Sequence, residues 1–410
     1  MVGMKKKNAL NSMILEFTMD RKNNIYRLLQ SYDNIYVYGM GEASICAVNF
    51  LKGIQISIDG MIVEKVDDSV PGFSSEFDIP ICSQDNMSTA NSICVVADSI
   101  YQDEIVKSLV DRNTPNIAKL SEGGRGNYNT LVDRNRPKIE ITTKLGCDIQ
   151  CKFCPQQVLY QTYFKEDKRR KTYMDMEIFE QCISHIPKNS IVTFAGFSEP
   201  FLNKDCVDMI LMAHERGFGI ELFTTFVGVT EDDLYKIKDV PFELITFHIP
   251  DEMGYSKIDM TEEYIKVVDR ILDLNKADGT SFIDLANCQS IPSKKFMEIA
   301  NRRLYVKLDT LCDRAGNLTE GEFIKVDRRF GQIVCAASRN MDHFVVLPDG
   351  EVVLCNMDFG MQYDIGNLSF MTYDDIINSD SYMRILEQMK TEDSNLICRN
   401  CFLSHKIDQV

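Results

Sequence analysis

Apolar positions fall into short runs separated by polar, glycine-marked turns, and their periods predict alternating strands and helices. The first 30 or so residues place Leu10, Met13, Ile14 and Phe17 at helical spacing, so a helix is expected there. Residues 34–38 then read as a strand that enters Gly39-Met-Gly41-Glu-Ala43, with a helix over 45–51. Further strands at 56–63, 92–97 and 116–119, with a helix at 102–111, complete a small doubly wound α/β domain over roughly residues 30–120. Ser121-Glu-Gly-Gly-Arg-Gly126 is the candidate boundary. After it, strands at 138–143, 190–195, 219–224, 242–249, 281–286 and 304–308 alternate with helices at 176–185, 204–216, 231–237, 261–274 and 293–302. Six βα units without hairpins predict a parallel sheet curled into a partial (β/α)6 barrel, with its chemistry at the carboxyl ends of the strands. Beyond about residue 316 the alternation stops. A hairpin follows at 343–347 and 351–355 around Pro348-Asp-Gly350, and a helix at 373–390 precedes the last cysteines.

Length and charge narrow the picture. A chain of 410 residues has room for two or three compact units. Its formal charge of −16 disfavours nucleic acid and anionic membrane as principal partners, although Lys168 to Lys171 form a local basic patch. No apolar run reaches about eighteen residues, and the Met1 to Lys7 start lacks the apolar stretch of a signal peptide, so no membrane partner and a cytoplasmic location are expected. In a reducing compartment the 14 cysteines are not expected to form a disulfide framework, and their spacing is to be read for metal or redox chemistry.

Cys147-Asp-Ile-Gln-Cys151-Lys-Phe-Cys154 puts three thiols in one loop just after a predicted strand. Thiolates so spaced can wrap one face of a four-iron cluster, whereas a zinc site or two-cluster ferredoxin normally has a fourth cysteine nearby. A structural metal knuckle is the competing reading. An iron left without a protein ligand is open to a small molecule. CxxxCxxC after the first strand of a partial barrel, with Phe153 before the third cysteine, resembles the radical S-adenosylmethionine (radical SAM) superfamily. The resemblance implies a four-iron cluster whose unique iron chelates S-adenosylmethionine, and reductive cleavage to a 5′-deoxyadenosyl radical that takes a hydrogen atom from substrate. It also implies an electron donor such as flavodoxin or ferredoxin. Phe194-Ala-Gly196-Phe-Ser-Glu199-Pro200, ending the next strand, is similar to the family's glycine-rich segment that contacts the methionine amino group. Phe153, Gly196, Ser198 and Glu199 are thereby candidate cofactor-binding residues. Ser198 stands where a second glycine is common. Thr224, with Thr225 beside it, resembles a position that meets the cofactor ribose or carboxylate, without the usual Asn-Gly pair.

Cys335, Cys355 and Cys398-Arg-Asn-Cys401 form a second set, enough on spacing alone for either a Cys₄ zinc ribbon or an iron–sulfur cluster. Cysteine, fourteen residues, Gly350, four residues, cysteine and a distant CxxC, all downstream of such a barrel, resemble the twitch domain, the shortened relative of the SPASM domain. That implies one auxiliary four-iron cluster, ligated throughout by protein and suited to handling electrons. The fold class is therefore α/β: a leading helix and small Rossmann-like domain at 1–125, a radical SAM partial barrel at 126–315, and a cysteine-rich twitch/SPASM-like domain at 316–410.

Cys312, in Cys312-Asp-Arg-Ala-Gly-Asn-Leu318, resembles a segment of SPASM-like relatives from which a thiol can return hydrogen to a substrate radical; a buried, idle thiol is the competing reading. Cys288 shares that ambiguity, and His248 ends a strand where it faces the pocket or merely fills it. Gly39-x-Gly41-x-x-Ser44 lacks the third glycine of a dinucleotide fingerprint, and Asp59 sits near a strand's start rather than its end. The 36–120 stretch resembles small Rossmann-like domains of surface-glycan enzymes, so the expected substrate is a small polar molecule, a sugar, nucleotide sugar or glycan precursor, undergoing dehydrogenation or epimerisation. Ribosomal peptide maturation is the alternative enzyme reading. A zinc-stapled nucleotide-sugar binding protein is the alternative outside catalysis.

Overall fold

The computed structural model describes residues 13–18, most of 25–121 and nearly all of 136–406. The glycine-rich break at 122–126, Lys168 and Arg169 lie outside the described residues. Strands are β1 Met13–Thr18, β2 Asn34–Tyr38, β3 Gly60–Val63, β4 Phe73–Ser74, β5 Ile79–Ser83, β6 Ser92–Ala97, β7 Asn116–Ser121, β8 Lys138–Ile141, β9 Ile191–Phe194, β10 Gly219–Thr224, β11 Leu244–His248, β12 Leu285–Cys288, β13 Tyr305–Leu308, β14 Ile333–Cys335, β15 His343–Val346, β16 Val352–Val353 and β17 Ser404–Lys406. Contacts divide the chain into two compact units. One comprises residues 1–127, 251–253 and 285–309, and the other 128–250, 254–284 and 310–410. The fold class is mixed α/β with parallel sheets.

In the first unit the strands run β12-β13-β1-β7-β6-β2-β3-β5-β4, all parallel except the short β4. β2 and β6 are neighbours from which the chain winds in opposite directions, the doubly wound arrangement. The expected helix before residue 30 is corrected at Met13–Thr18, which is a strand paired with both β7 and β13. Met13, Leu15 and Phe17 also alternate with period two, so a six-residue window fits either element, and two open strand edges decide it. The Asp59 carboxylate accepts the Ile35 N–H at 2.7 Å, an internal tie at the start of β2. β12 and β13, read from sequence as barrel strands, make their contacts in this unit, where β13 pairs with β1.

The second unit is ordered β16-β15-β8-β9-β10-β11. β8 to β11 are parallel, and their alternate residues divide by face. Ile139, Ile141, Val192, Phe194, Ile220, Leu222, Ile245 and Phe247 are buried on one face, where the Phe194 ring lies 5.9 Å from Phe179 of the helix Met176–Ser184. Lys138, Glu140, Thr193, Glu221 and Thr246 are buried on the other. Helix starts are fixed by side-chain caps from Asp175, Thr230 and Thr261.

The C-terminal hairpin is more than the appendage its sequence suggests, because β15 pairs in parallel with β8 and closes the open edge of the barrel sheet. Its turn needs glycine: Gly350 has φ +86° and leaves no room for a Cβ beside Asn367 and Ser369. Val345, Leu347, Val353 and Phe359 then pack with Leu145, Leu159, Tyr163 and Phe197 in one apolar cluster, so the hairpin supports the triad loop and the helix Gln156–Tyr163 behind it. Arg170 spans the same junction, bonded to Asp349 and Glu351 with its guanidinium 3.7 Å above the Tyr163 ring. Leu347→Ala should cost about 2–5 kcal/mol from this fully buried cluster; a thermal melt of the variant within a degree of wild type would show that the junction is not a packed core.

Candidate metal centre and active site

The triad loop leaves β8 through Thr142 and Thr143, both fully buried. Thr143 Oγ1 donates to Pro200 O at 2.7 Å, and Thr142 Oγ1 accepts the Phe197 N–H at 3.2 Å, which binds the loop to the turn that ends β9. Gly196 has φ +69° and a Cβ there would collide with Thr142, so the close approach that demands glycine is to this threonine.

The two predicted segments meet at the sulfurs. Burial pushes the Cys147 thiol up, while N–H groups of Glu199 and Ile149 and the Lys144 charge work to lower it. Cys154 is likewise raised by burial, countered by the Gln156 amide and the Arg314 guanidinium. Gln156 Nε2 donates to Cys154 Sγ at 3.4 Å and to Phe197 O. Arg314 Nε lies 3.4 Å from Phe153 O. Cys151 precedes both within the same turn, its carbonyl accepting the Cys154 N–H at 3.1 Å. Burial that penalises a bare thiolate is overcome when the sulfur is bound to iron, so this donor-lined loop fits a cluster.

Glu199 is 4% exposed and its carboxylate is fully engaged inside the protein. Oε1 accepts from Thr224 Oγ1 at 2.6 Å and Phe201 N at 3.3 Å, and Oε2 from Thr225 N at 2.6 Å and Thr225 Oγ1 at 2.7 Å. Burial raises its pKa against the pull of these donors. Thr224 Oγ1 in turn accepts the Phe226 N–H at 2.7 Å. Glu199 and Thr224 thus brace the ends of β9 and β10 against each other. Ser198 differs: its hydroxyl is buried and has no partner, which fits a hydroxyl held for a ligand such as S-adenosylmethionine.

The second cysteine set also comes together. β14 pairs antiparallel with β17, setting Cys335 opposite Ser404, and the 3₁₀ turn Ile397–Asn400 carries Cys398 toward Cys401. Burial pushes Cys355 well up, and the charges of Cys398, Cys401 and Cys335 add to it; Cys398 and Cys401 are both pushed to about 12 for the same two reasons. Four buried thiolates would repel one another, and the cationic iron–sulfide core of a cluster would offset that repulsion. Among the described residues no three His, Cys, Asp or Glu side chains stand close enough together to hold a single metal ion. Cys312 lies beside this set, within electrostatic reach of Cys401. Cys288 belongs to the first unit and donates to Ser290 O at 2.7 Å. The His248 ring packs 6.3 Å from that of Phe223.

Sequence reasoning missed the polar face of the second unit's sheet. Lys138 Nζ pairs with Glu221 Oε2 at 2.6 Å, which also accepts from Thr193 Oγ1 at 3.1 Å. Glu140 Oε1 lies 2.6 Å from His343 Nε2 and accepts from Asn356 Nδ2 at 3.2 Å, next to Cys355. Thr246 Oγ1 is buried without a partner. Alternating polar residues within β8, β9 and β10 were the available signal.

Residues 335–402 match the family model SPASM, an iron-sulfur cluster-binding domain. Among curated proteins the chain is 26% identical over 128 residues to the probable dual-specificity RNA methyltransferases RlmN of Listeria welshimeri and Listeria monocytogenes, covering 29% of this chain and 33% of each. The chain thus spans about a third of the length of the curated relatives it matches. Solved structures with some likeness are BtrN in complex with AdoMet and 2-DOIA (18% identity, TM-score 0.43, 64% of this chain and 89% of that one) and Streptococcus suis SuiB bound to precursor peptide SuiA (12%, 0.39, 74% and 82%). Superpositions this loose carry no inference about what this chain binds. Residues 335–402 are thus similar to the SPASM iron–sulfur domain, and the triad loop keeps its resemblance to the radical SAM superfamily. The matched domain is described as binding an iron–sulfur cluster.

Burial acts to raise the Glu140 carboxyl, but the charges of His343 and Lys138 and the bonds from His343 and Asn356 outweigh it, and the net shift is downward. A depressed carboxyl stabilises the fold above its unfolded pKa of about 4.3 and loses that contribution as pH falls through the folded value. Glu140→Gln should therefore melt below wild type at pH 7, with the gap closing under about pH 4; a gap that stays constant across this range would refute the assignment.

Proposed function

We propose that this enzyme abstracts hydrogen from a carbinol carbon of a small, hydroxyl-rich substrate, a sugar, nucleotide sugar or glycan precursor, and completes an oxidation with the SPASM cluster receiving the second electron. The observation that carries the reading is the surroundings of the triad. Around Cys147 and Cys154 stand N–H donors from Glu199, Ile149 and Gln156 and the cations Lys144 and Arg314, opposed by the charge of a Glu199 carboxylate that is bonded to Thr224 and Thr225. When bound, the cluster and S-adenosylmethionine supply a 5′-deoxyadenosyl radical.

The chain's own residues do the positioning. Cys147, Cys151 and Cys154 would hold the reactive cluster, and Cys335, Cys355, Cys398 and Cys401 the auxiliary one. Glu199, locked by Thr224 and Thr225, fixes the turn whose Ser198 hydroxyl is available to the cofactor. Phe153 and Gly196 shape the loops on either side. The buried polar face around Lys138, Glu140, Thr193 and Glu221 supports a polar substrate, because an apolar one would gain nothing from it. The neighbouring oppositely wound β2 and β6 support a nucleotide-bearing ligand at the carboxyl ends of those strands. An electron donor such as flavodoxin or ferredoxin would feed the triad cluster. Epimerisation, with Cys312 returning hydrogen, is favoured less, since that thiol sits by Cys401 of the auxiliary set.

Anaerobically reconstituted protein should hold about eight irons per chain, falling to about four in the Cys147→Ala/Cys151→Ala/Cys154→Ala variant. Zinc in their place would sink the radical reading in favour of a binding protein. Reduced with dithionite in the presence of S-adenosylmethionine, wild type should release 5′-deoxyadenosine and the triple variant none. Candidate sugars deuterated at carbinol carbons should pass deuterium into it; transfer from a peptide alone would favour maturation. Ser198→Ala should leave the melting temperature unchanged and weaken S-adenosylmethionine binding about five- to tenfold, as the loss of one hydrogen bond worth about 1 kcal/mol predicts; equal affinity by equilibrium dialysis would remove Ser198 from the site.

A further inference from the structure

Arg399, between Cys398 and Cys401, is fully buried, and its guanidinium is satisfied by neutral acceptors. Nε donates to Ser394 Oγ at 3.2 Å, Nη1 to Arg329 O at 3.3 Å and to Gly331 O, and Nη2 to Gln388 O and Thr391 O, each at 2.8 Å. Asp393 feels the Arg399 charge, and it is half exposed and also paired with Arg328 at 2.8 Å. A buried cation with hydrogen bonds but no ion-pair partner is costly unless a negative group lies close by. Arg329 stands on the same side: its Nη1 donates to Cys401 O at 2.7 Å, its N–H donates to Arg399 O at 2.8 Å, and its charge acts on Cys401. Asp393 is shared with Arg328, and a fuller counter-charge is supplied when four thiolates surround iron, because such a cluster is a net anion that becomes more negative on reduction.

We propose that Arg399 and Arg329 are positioning residues that hold two positive charges against the SPASM cluster and raise its reduction potential, making it an electron acceptor. The inference rests on the iron–sulfur reading of the second cysteine set. A fixed cation in a poorly screened interior favours the more negative, reduced state of its neighbour. A purely structural arginine, knitting residues 329–331 to 388–394, would affect assembly and leave the potential alone.

The test uses the full chain with Cys147, Cys151 and Cys154 all changed to Ala, so that one cluster titrates. Iron and zinc are assayed first, and the cluster is then titrated potentiometrically with detection by electron paramagnetic resonance. Arg329→Gln and Arg399→Gln should each lower the ratio of reduced to oxidised cluster at fixed potential by about tenfold, equivalent to about 59 mV for a one-electron couple. Arg399→Lys, which keeps the charge, should titrate with the parent. Should Arg399→Gln fail to assemble, Arg329→Gln against the parent decides. Iron present with unchanged potentials in the glutamine variants would overturn the tuning role while leaving the cluster in place. Zinc in this site would overturn both.

Discussion

Bringing sulfur anions out of water is the constraint around which this structure is organised. Burial raises the pKa of Cys147, Cys154, Cys335, Cys355, Cys398 and Cys401, and within the second set the thiols also repel one another. Without compensation each would stay a neutral thiol with little affinity for metal. The polypeptide provides compensation in two forms. At the triad it is N–H donors from Glu199, Ile149 and Gln156, with Lys144 and Arg314 as cations. At the second set the Arg329 charge acts to lower Cys401.

This requirement explains why a carboxylate sits so near the reactive sulfurs. Glu199 would repel Cys147, and its charge does act in that direction. Its side chain is turned away into hydroxyl and N–H groups of Thr224 and Thr225, while its own backbone N–H faces the sulfur. One residue thus serves the thiolate with its backbone and fastens two strand ends with its side chain. A shorter Asp would lose one of those reaches, and Gln would present an amide N–H₂ to donors that need an acceptor.

The iron–sulfur domain at 335–402 was legible because metal chemistry fixes residue types and spacing, and the βα alternation through β8 to β11 was legible because period and length agreed. The misreadings have specific causes. Met13 to Thr18 is too short for its period to be unique, and pairing with β7 and β13 settles it. The hairpin's union with β8 joins residues some two hundred positions apart, which no local window reports. Gly196 is expected from the sequence to lie against the cofactor, and in the structure it is Thr142 that occupies the space a Cβ would take. Glu140, His343 and Asn356 each look ordinary in sequence, and their meeting is a product of that same distant pairing.

The segment after residue 310 ties the two cysteine sets into one unit. Arg314 reaches Phe153 O and acts on Cys154, Cys312 acts on Cys401, and Asn317 Nδ2 donates to Met357 O at 2.9 Å, two residues past Cys355. Arg314 and Ala315 both adopt positive φ, at 51° and 56°, a conformation that L-residues avoid unless the surrounding contacts impose it. The strain is local, and the contacts that balance it run to opposite cysteine sets. One short segment therefore supplies a neighbour to Cys154 and another to Cys401. The strap works beside the apolar cluster in which Val345, Leu347, Val353 and Phe359 pack with Leu145 and Phe197, so strap and core together fix where the two cysteine sets stand.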